Sequence, residues 1–225
     1  MDPDWLDRAK RLQALAQSGL AFTHDRFDRE RYEAIRAIAA EMIAASALGD
    51  AEAPAEAARK LEAIFTAQEG YATPKVDVRA AVFREDRILL VRERSDGRWT
   101  LPGGWADVGD SPAAAVEREV LEEAGYTVHA VKLVAVFDRN RHAHTPHLFH
   151  IWKLFFLCEM AAGSAGEPVG GAPPGAKAAS CSETDAAEFF PENALPPLSL
   201  GRVTAAQIAH MFEHHRDPGR APSFD

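Results

Sequence analysis

The sequence predicts an α/β protein, a mixed sheet sandwiched between helices and preceded by a small helical domain. Three observations predict it. Residues 1–70 place apolar side chains three and four apart, the period of helices. From Tyr71 onward the period drops to two, as in strands. Among those strands lie one amphipathic helix and one helix that opens with its own capping signal, enough to cover the faces of a sheet. The expected division is residues 1–70 and 71–225.

The elements follow in order. In "WLDRAKRLQALAQSGL", Trp5, Leu6, Ala9, Leu12, Leu15 and Ala16 form one stripe, and Gly19 is expected to end it. Asp28 is the expected N-cap of a second helix, striped by Tyr32, Ile35, Ala39, Met42 and Ile43. A third, Ala-rich helix covers 54–67 with Leu61, Ile64 and Phe65. Such a bundle is small for a stable core of its own. "VDVRAAVF" and "RILLVRER" then form a hairpin, and "TVHAVKLVAVFD" and "HLFHIWKLFFLCE" are further strands. A Gly/Ala/Pro insertion occupies 161–180. The closing helix starts at Thr204, where "TAAQ" reads as a capping box. His210, His214 and His215 fall toward its C-terminal end, as partners of the helix dipole.

Composition removes several classes of function. The N-terminus is acidic and lacks the apolar stretch of a signal peptide. The longest apolar run, "LFFLC" at 154–158, is far short of a membrane span. Only Cys158 and Cys181 are present, so a disulfide scaffold is excluded and a cytoplasmic location is expected. A net charge of −9 argues against a broad DNA- or RNA-binding face.

The chemistry concentrates in residues 103–125. Ser111 and Pro112 suit the start of a helix, and Gly125 suits the left-handed residue that ends one. On that helix Glu119, Glu122 and Glu123 fall at i, i+3 and i+4, so three carboxylates converge on one face. They also crowd its C-terminal turn, where the dipole disfavours negative charge. A positive partner is needed among them. Arg118 is one candidate, bracing Glu122 at i+4, and a hard divalent cation with oxygen ligands is the other. A solvated acidic face is the plain alternative. The preceding "GRWTLPGGWADVGDS" carries Gly103 and Gly104, which let backbone approach a ligand closely.

Gly104, five residues, Asp110, seven residues, then Arg118–Glu119–Val120–Leu121–Glu122–Glu123–Ala124–Gly125–Tyr126 resembles the Nudix box. Its fixed Gly, Arg and Glu positions recur by chance at about 10⁻⁷ per start position, given ordinary residue usage. Asp110 stands where the box has Glu, and Tyr126 where it has an aliphatic residue. The N-terminal helical pattern and "LPPLSLGRVTAAQI" resemble one bacterial Nudix subfamily that carries a helical domain ahead of the catalytic one. Its members hydrolyse nucleoside diphosphates linked to another moiety, such as CDP-choline or ADP-ribose.

The resemblance implies metal-dependent cleavage of a pyrophosphate bond. Glu119, Glu122 and Glu123 would hold Mg²⁺ or Mn²⁺, a carbonyl at Gly103 or Gly104 would complete the shell, and Arg118 would orient the glutamates. A general base commonly comes from outside the box. Glu183 is the first choice here, with Asp185 and Glu188 as alternatives or all three as plain loop charges. In "DRNRHAHTPHLFH", Arg139, Arg141, His142 and His144 are candidate contacts to the far phosphate or the second moiety. The spacing of His142, His144, His147 and His150 matches no established zinc pattern. The expected partner is a small nucleotide, with neither DNA nor a membrane, and the undersized helical domain points to a homodimer. Two rivals remain at this point: a nucleoside triphosphate pyrophosphohydrolase, and a Nudix domain that senses nucleotides without cutting them.

Overall fold

The computed structural model describes residues 3–47, 54–161 and 183–225, so the insertion expected over 161–180 lies outside the described residues from position 162 on, as does Cys181. Packing resolves two units. Residues through Pro74 join with Pro146–His150 in one, and Lys75–Thr145 join with Ile151–Asp225 in the other.

The first unit contains α1 (Asp4–Phe22), α2 (Arg26–Ala47) and α3 (Pro54–Thr66). Leu6, Ala9, Ala40, Ile43 and Phe65 are buried together, with Leu148 packed against them. Two expectations need correction. Gly19 does not end α1, which runs on to Phe22. A Cβ at Gly19 would lie 2.4 Å from the Tyr32 ring, so the glycine serves close packing of α1 on α2. Nor is Asp28 the cap of α2, which begins at Arg26. The Asp25 carboxylate takes that role, accepting the Asp28 amide at 2.9 Å.

The second unit is a seven-stranded mixed sheet with a helix on each face. Its strands are β1 (Lys75–Arg84), β2 (Arg87–Glu93), β3 (Trp99–Thr100), β4 (Val128–Asp138), β5 (Ile151–Met160), β6 (Thr184–Pro191) and β7 (Ser223–Phe224). They run in the order β3-β2-β1-β5-β4-β7, with β6 paired to β2. β1 and β5 are parallel, while β4 and β5 are antiparallel. β5 starts at Ile151, later than the alternation from His147 suggested, because residues 146–150 belong to the helical unit.

Period two sends Val78, Ala80, Val82, Leu89 and Val91 to one face, where α4 (Pro112–Ala124) covers them with Ala115, Val116 and Val120. Ala81, Ile88, Leu90 and Phe155 go to the other, under Ile208, Met211 and Phe212 of α5 (Ala205–Arg216). Burying each such Val or Leu side chain contributes about 1.5–3 kcal/mol. Because both faces are covered, β1 and β2 are buried nearly throughout.

One irregularity positions the site. β1 and β2 pair only at Phe83–Ile88 and Arg84–Arg87, then part. The segment 102–106 fills the opening and bonds to β1: Ala80 donates to the Pro102 carbonyl at 2.9 Å, Val78 to Gly104 at 2.8 Å, and Ala106 to Val76 at 3.0 Å. The glycine-rich loop is thereby held in the sheet.

Candidate active site

The helix that carries the carboxylates is well delimited. Ser111 accepts the Ala114 amide at 3.1 Å, Pro112 opens α4, and Gly125 closes it at φ 72° with its amide on the Leu121 carbonyl. Glu117, on the same helix, accepts the Ala130 amide at 2.8 Å and ties α4 to β4.

At the C-terminal end of α4 the glutamates differ in environment. Glu123 is buried, and its Oε2 accepts the Gly103 amide at 2.8 Å. Gly103 has φ 139°, and a Cβ there would lie 2.0 Å from the Val78 carbonyl oxygen. Only glycine lets the amide turn toward Glu123 while the loop stays bonded to β1. Gly104 instead leaves room for a second carboxylate, since a Cβ would come within 3.0 Å of the Glu119 side chain. Glu122 is half-exposed.

Arg118 gathers this cluster. Its guanidinium reaches Asp110 at 3.1 Å, Glu119 at 3.0 Å, Glu122 at 3.2 Å and Asp107 at 3.4 Å. Asp110 therefore still contacts the arginine although it is one methylene shorter than glutamate. Burial pushes the Glu123 carboxyl up to about 8, opposed by the Arg79 charge and the Gly103 amide. Burial also raises Glu119, again with an arginine, Arg118, opposing it.

Behind the loop lies a buried charge network. Arg79 makes two bonds to Asp77, at 2.9 and 2.8 Å, and donates to the Leu101 carbonyl at 3.0 Å. Lys153 donates to the same Asp77 at 2.5 Å. Burial opposes ionisation of Asp77, but the two cations hold it below the usual carboxylate range. Glu93, at the end of β2, pairs with Arg202 at 2.7 Å, and burial pushes its carboxyl up. None of these residues stood out in the sequence. The signal available was the alternation of Asp77 and Arg79 with apolar residues in β1.

The other residues named from sequence fall into two groups. Glu183 comes immediately before β6, and its carbonyl accepts the Arg94 amide at 2.8 Å. The next residue, Thr184, donates its hydroxyl to the Glu123 carbonyl at 3.1 Å, which places Glu183 beside the end of α4. Asp185 pairs with Arg92 at 2.6 Å. The loop after β4 opens at the same end of the sheet as segment 102–106, since Lys153 pairs with Asp77 on one side and Phe137 on the other. Arg141 is exposed there, and His142 contacts Asp225 at 3.2 Å. Arg139 and His144 are buried. Arg139 donates to the Thr145 carbonyl at 2.6 Å, and His144 bonds the Leu200 carbonyl at 2.8 Å and Gln207 at 3.1 Å.

The oxygen donors suit a hard divalent cation, and buried Glu123 is a carboxylate that needs positive charge beside it to ionise. Arg118 supplies positive charge to Glu119 and Glu122, and Arg79 supplies it to Glu123. Among the described residues no three acidic, His or Cys side chains are set as a ready-made metal cage.

A model of the family described as NUDIX domain matches residues 73–211. The chain belongs to the Nudix hydrolases. A second family, described as the UDP-X-like N-terminal oligomerisation domain, matches residues 3–65. The chain is 42% identical over 221 residues to a putative ADP-ribose pyrophosphatase of Bacillus subtilis, covering 98% of this chain and 97% of that one. A crystal structure of a UDP-X diphosphatase is similar at 31% identity and a TM-score of 0.56, covering 99% and 98% of the two chains. A Streptococcus suis ADP-ribose pyrophosphatase is similar at 42% identity and a TM-score of 0.55, over 68% of this chain and all of that one. This Nudix chain is a pyrophosphatase. Among its described residues, no helix is long and apolar enough to cross a membrane.

Proposed function

We propose that the protein hydrolyses the pyrophosphate bond of a nucleoside diphosphate linked to a second moiety, of the ADP-ribose, CDP-choline or UDP-X type, with a divalent metal ion. The carrying observation is Glu123, a buried carboxylate on a glycine loop amide, on the same last turns of α4 as Glu119 and Glu122. Burial of that carboxylate is costly even with the Gly103 amide and the Arg79 charge opposing it, and a cation beside it would offset that cost further. The similar ADP-ribose and UDP-X enzymes, matched over both domains, support the diphosphate-linked class over the triphosphate reading.

Glu119, Glu122 and Glu123 would hold the ion, joined by a carbonyl at Gly103 or Gly104. The ion, Mg²⁺ or Mn²⁺, would neutralise phosphate charge and so permit attack by water at phosphorus. Arg118 keeps the carboxylates and the Asp107–Asp110 loop in one arrangement. Glu183 would take the proton of the attacking water. Arg141 and His142 would meet the second phosphate or second moiety, on a loop that buried Arg139 and His144 hold from within. The chain would work as a cytoplasmic homodimer joined through the helical unit, on which Leu15, Phe22, Phe27 and Ile38 are exposed.

The test is a hydrolysis panel with Mg²⁺ or Mn²⁺: ADP-ribose, CDP-choline, UDP-sugars and nucleoside triphosphates. Phosphatase-coupled phosphate release reads the diphosphate-linked compounds, and pyrophosphate detection reads the triphosphates. Cleavage of one diphosphate-linked compound to a monophosphate is the expected result. Pyrophosphate released from triphosphates alone would overturn it, and binding without turnover would leave a sensor.

A further inference from the structure

Beside the β2–β6 ladder, three further ties hold the start of β6 to the end of β2 and the residue after it. The Arg94 amide donates to the Glu183 carbonyl at 2.8 Å, the Arg94 side chain to the Thr184 carbonyl at 3.0 Å, and Arg92 to the Asp185 carboxylate at 2.6 Å. A different bond runs to α4: the Thr184 hydroxyl donates to the Glu123 carbonyl at 3.1 Å. The last carbonyls of a helix have no intrahelical donor. Gly125 takes the Leu121 carbonyl at the end of α4, and a residue 61 positions further on takes that of Glu123. Thr184 is 1% exposed, so water does not substitute for it. The residue it serves carries the buried carboxylate of the site, and the residue before it is Glu183.

We infer that Thr184 is a positioning residue: its hydroxyl fixes the start of β6, and with it Glu183, against the turn of α4 that carries Glu123. This rests on the hydrolase reading above, with Glu183 as base. A displacement of about 1 Å between a proton acceptor and the reacting centre costs as much as about 100-fold in rate while leaving binding intact. The burden of losing the hydroxyl therefore falls on kcat rather than KM.

The test compares wild type with Thr184→Val, which keeps the shape and removes the donor, and with Thr184→Ser, which keeps the donor. The assay uses the best substrate of the panel. Hydrogen–deuterium exchange across 122–126 and 183–187 is measured on the same proteins. The expected result is a kcat lowered about tenfold or more in Thr184→Val with KM within about twofold. Faster exchange confined to those two segments, and recovery of most of both losses in Thr184→Ser, complete it. Wild-type kcat in Thr184→Val overturns the proposal, whether or not exchange changes, and so does a lowered kcat with unchanged exchange. Should Thr184→Val not fold, Thr184→Ala and Thr184→Ser are compared in the same way, and equal kcat in the two overturns it. A wild type that cleaves nothing on the panel defeats the hydrolase reading instead, and the exchange comparison still reports whether the tie holds β6.

Discussion

Glu123 and Gly103 form the pair on which the site turns, a buried carboxylate on an amide that only glycine can present. Glu123→Gln is expected to lower turnover by more than about 100-fold, beyond the usual cost of losing a group that merely supports a metal ligand. Its thermal stability without metal stays equal to or above wild type, because the replaced carboxyl is the group that burial disfavours. Steady-state turnover with calorimetry on the metal-free protein checks both. His144 supplies a pH effect. Burial is the main influence lowering it from 6.5 to about 4 in the folded chain. Between those values the unfolded chain binds a proton that the folded one does not, so stability is full above about 6.5 and falls as pH drops toward 4. The loss approaches about 3 kcal/mol for a shift of this size. Urea unfolding at pH 7 and pH 5 measures it, and His144→Gln is expected to flatten the difference.

At the scale of elements, α4 is the working part, and its boundaries are set locally. Ser111→Ala removes the bond to the Ala114 amide and is expected to cost about 1 kcal/mol, the usual worth of an N-cap. Denaturant unfolding would show a lower midpoint with an unchanged slope. The capping box of α5 is also local, with both Thr204 and Gln207 bonds formed. The histidines of α5 are not simply dipole partners: His215 stacks on Phe83, while His214 is fully buried, with burial lowering it. A helix-end position does not reveal which face the sheet will cover.

For the whole molecule, the exposed apolar side chains of α1 and α2 belong to a unit too small to leave them idle. Sedimentation equilibrium is expected to give twice the chain mass of 24.5 kDa. Phe22→Glu combined with Phe27→Glu is expected to return the monomer. A wild-type monomer at micromolar concentration would remove the dimer.

The sequence by itself determined the α/β class, the helical unit ahead of it and the limits of α4, the helix that carries Glu119, Glu122 and Glu123. These rest on local periodicity and capping, which act within a few residues. It misplaced the end of α1 and the cap of α2, because Gly19 answers to Tyr32 and Asp25 competes with Asp28. Only the tertiary structure decided that β1 and β2 part to admit the glycine loop, that Asp77, Arg79 and Lys153 lie buried behind it, and that Thr184 reaches the Glu123 carbonyl. It also decided that Arg139 and His144 turn inward while Arg141 stays exposed. Those outcomes depend on partners dozens of residues away, and a charged side chain shows its role only when the groups that surround it are known.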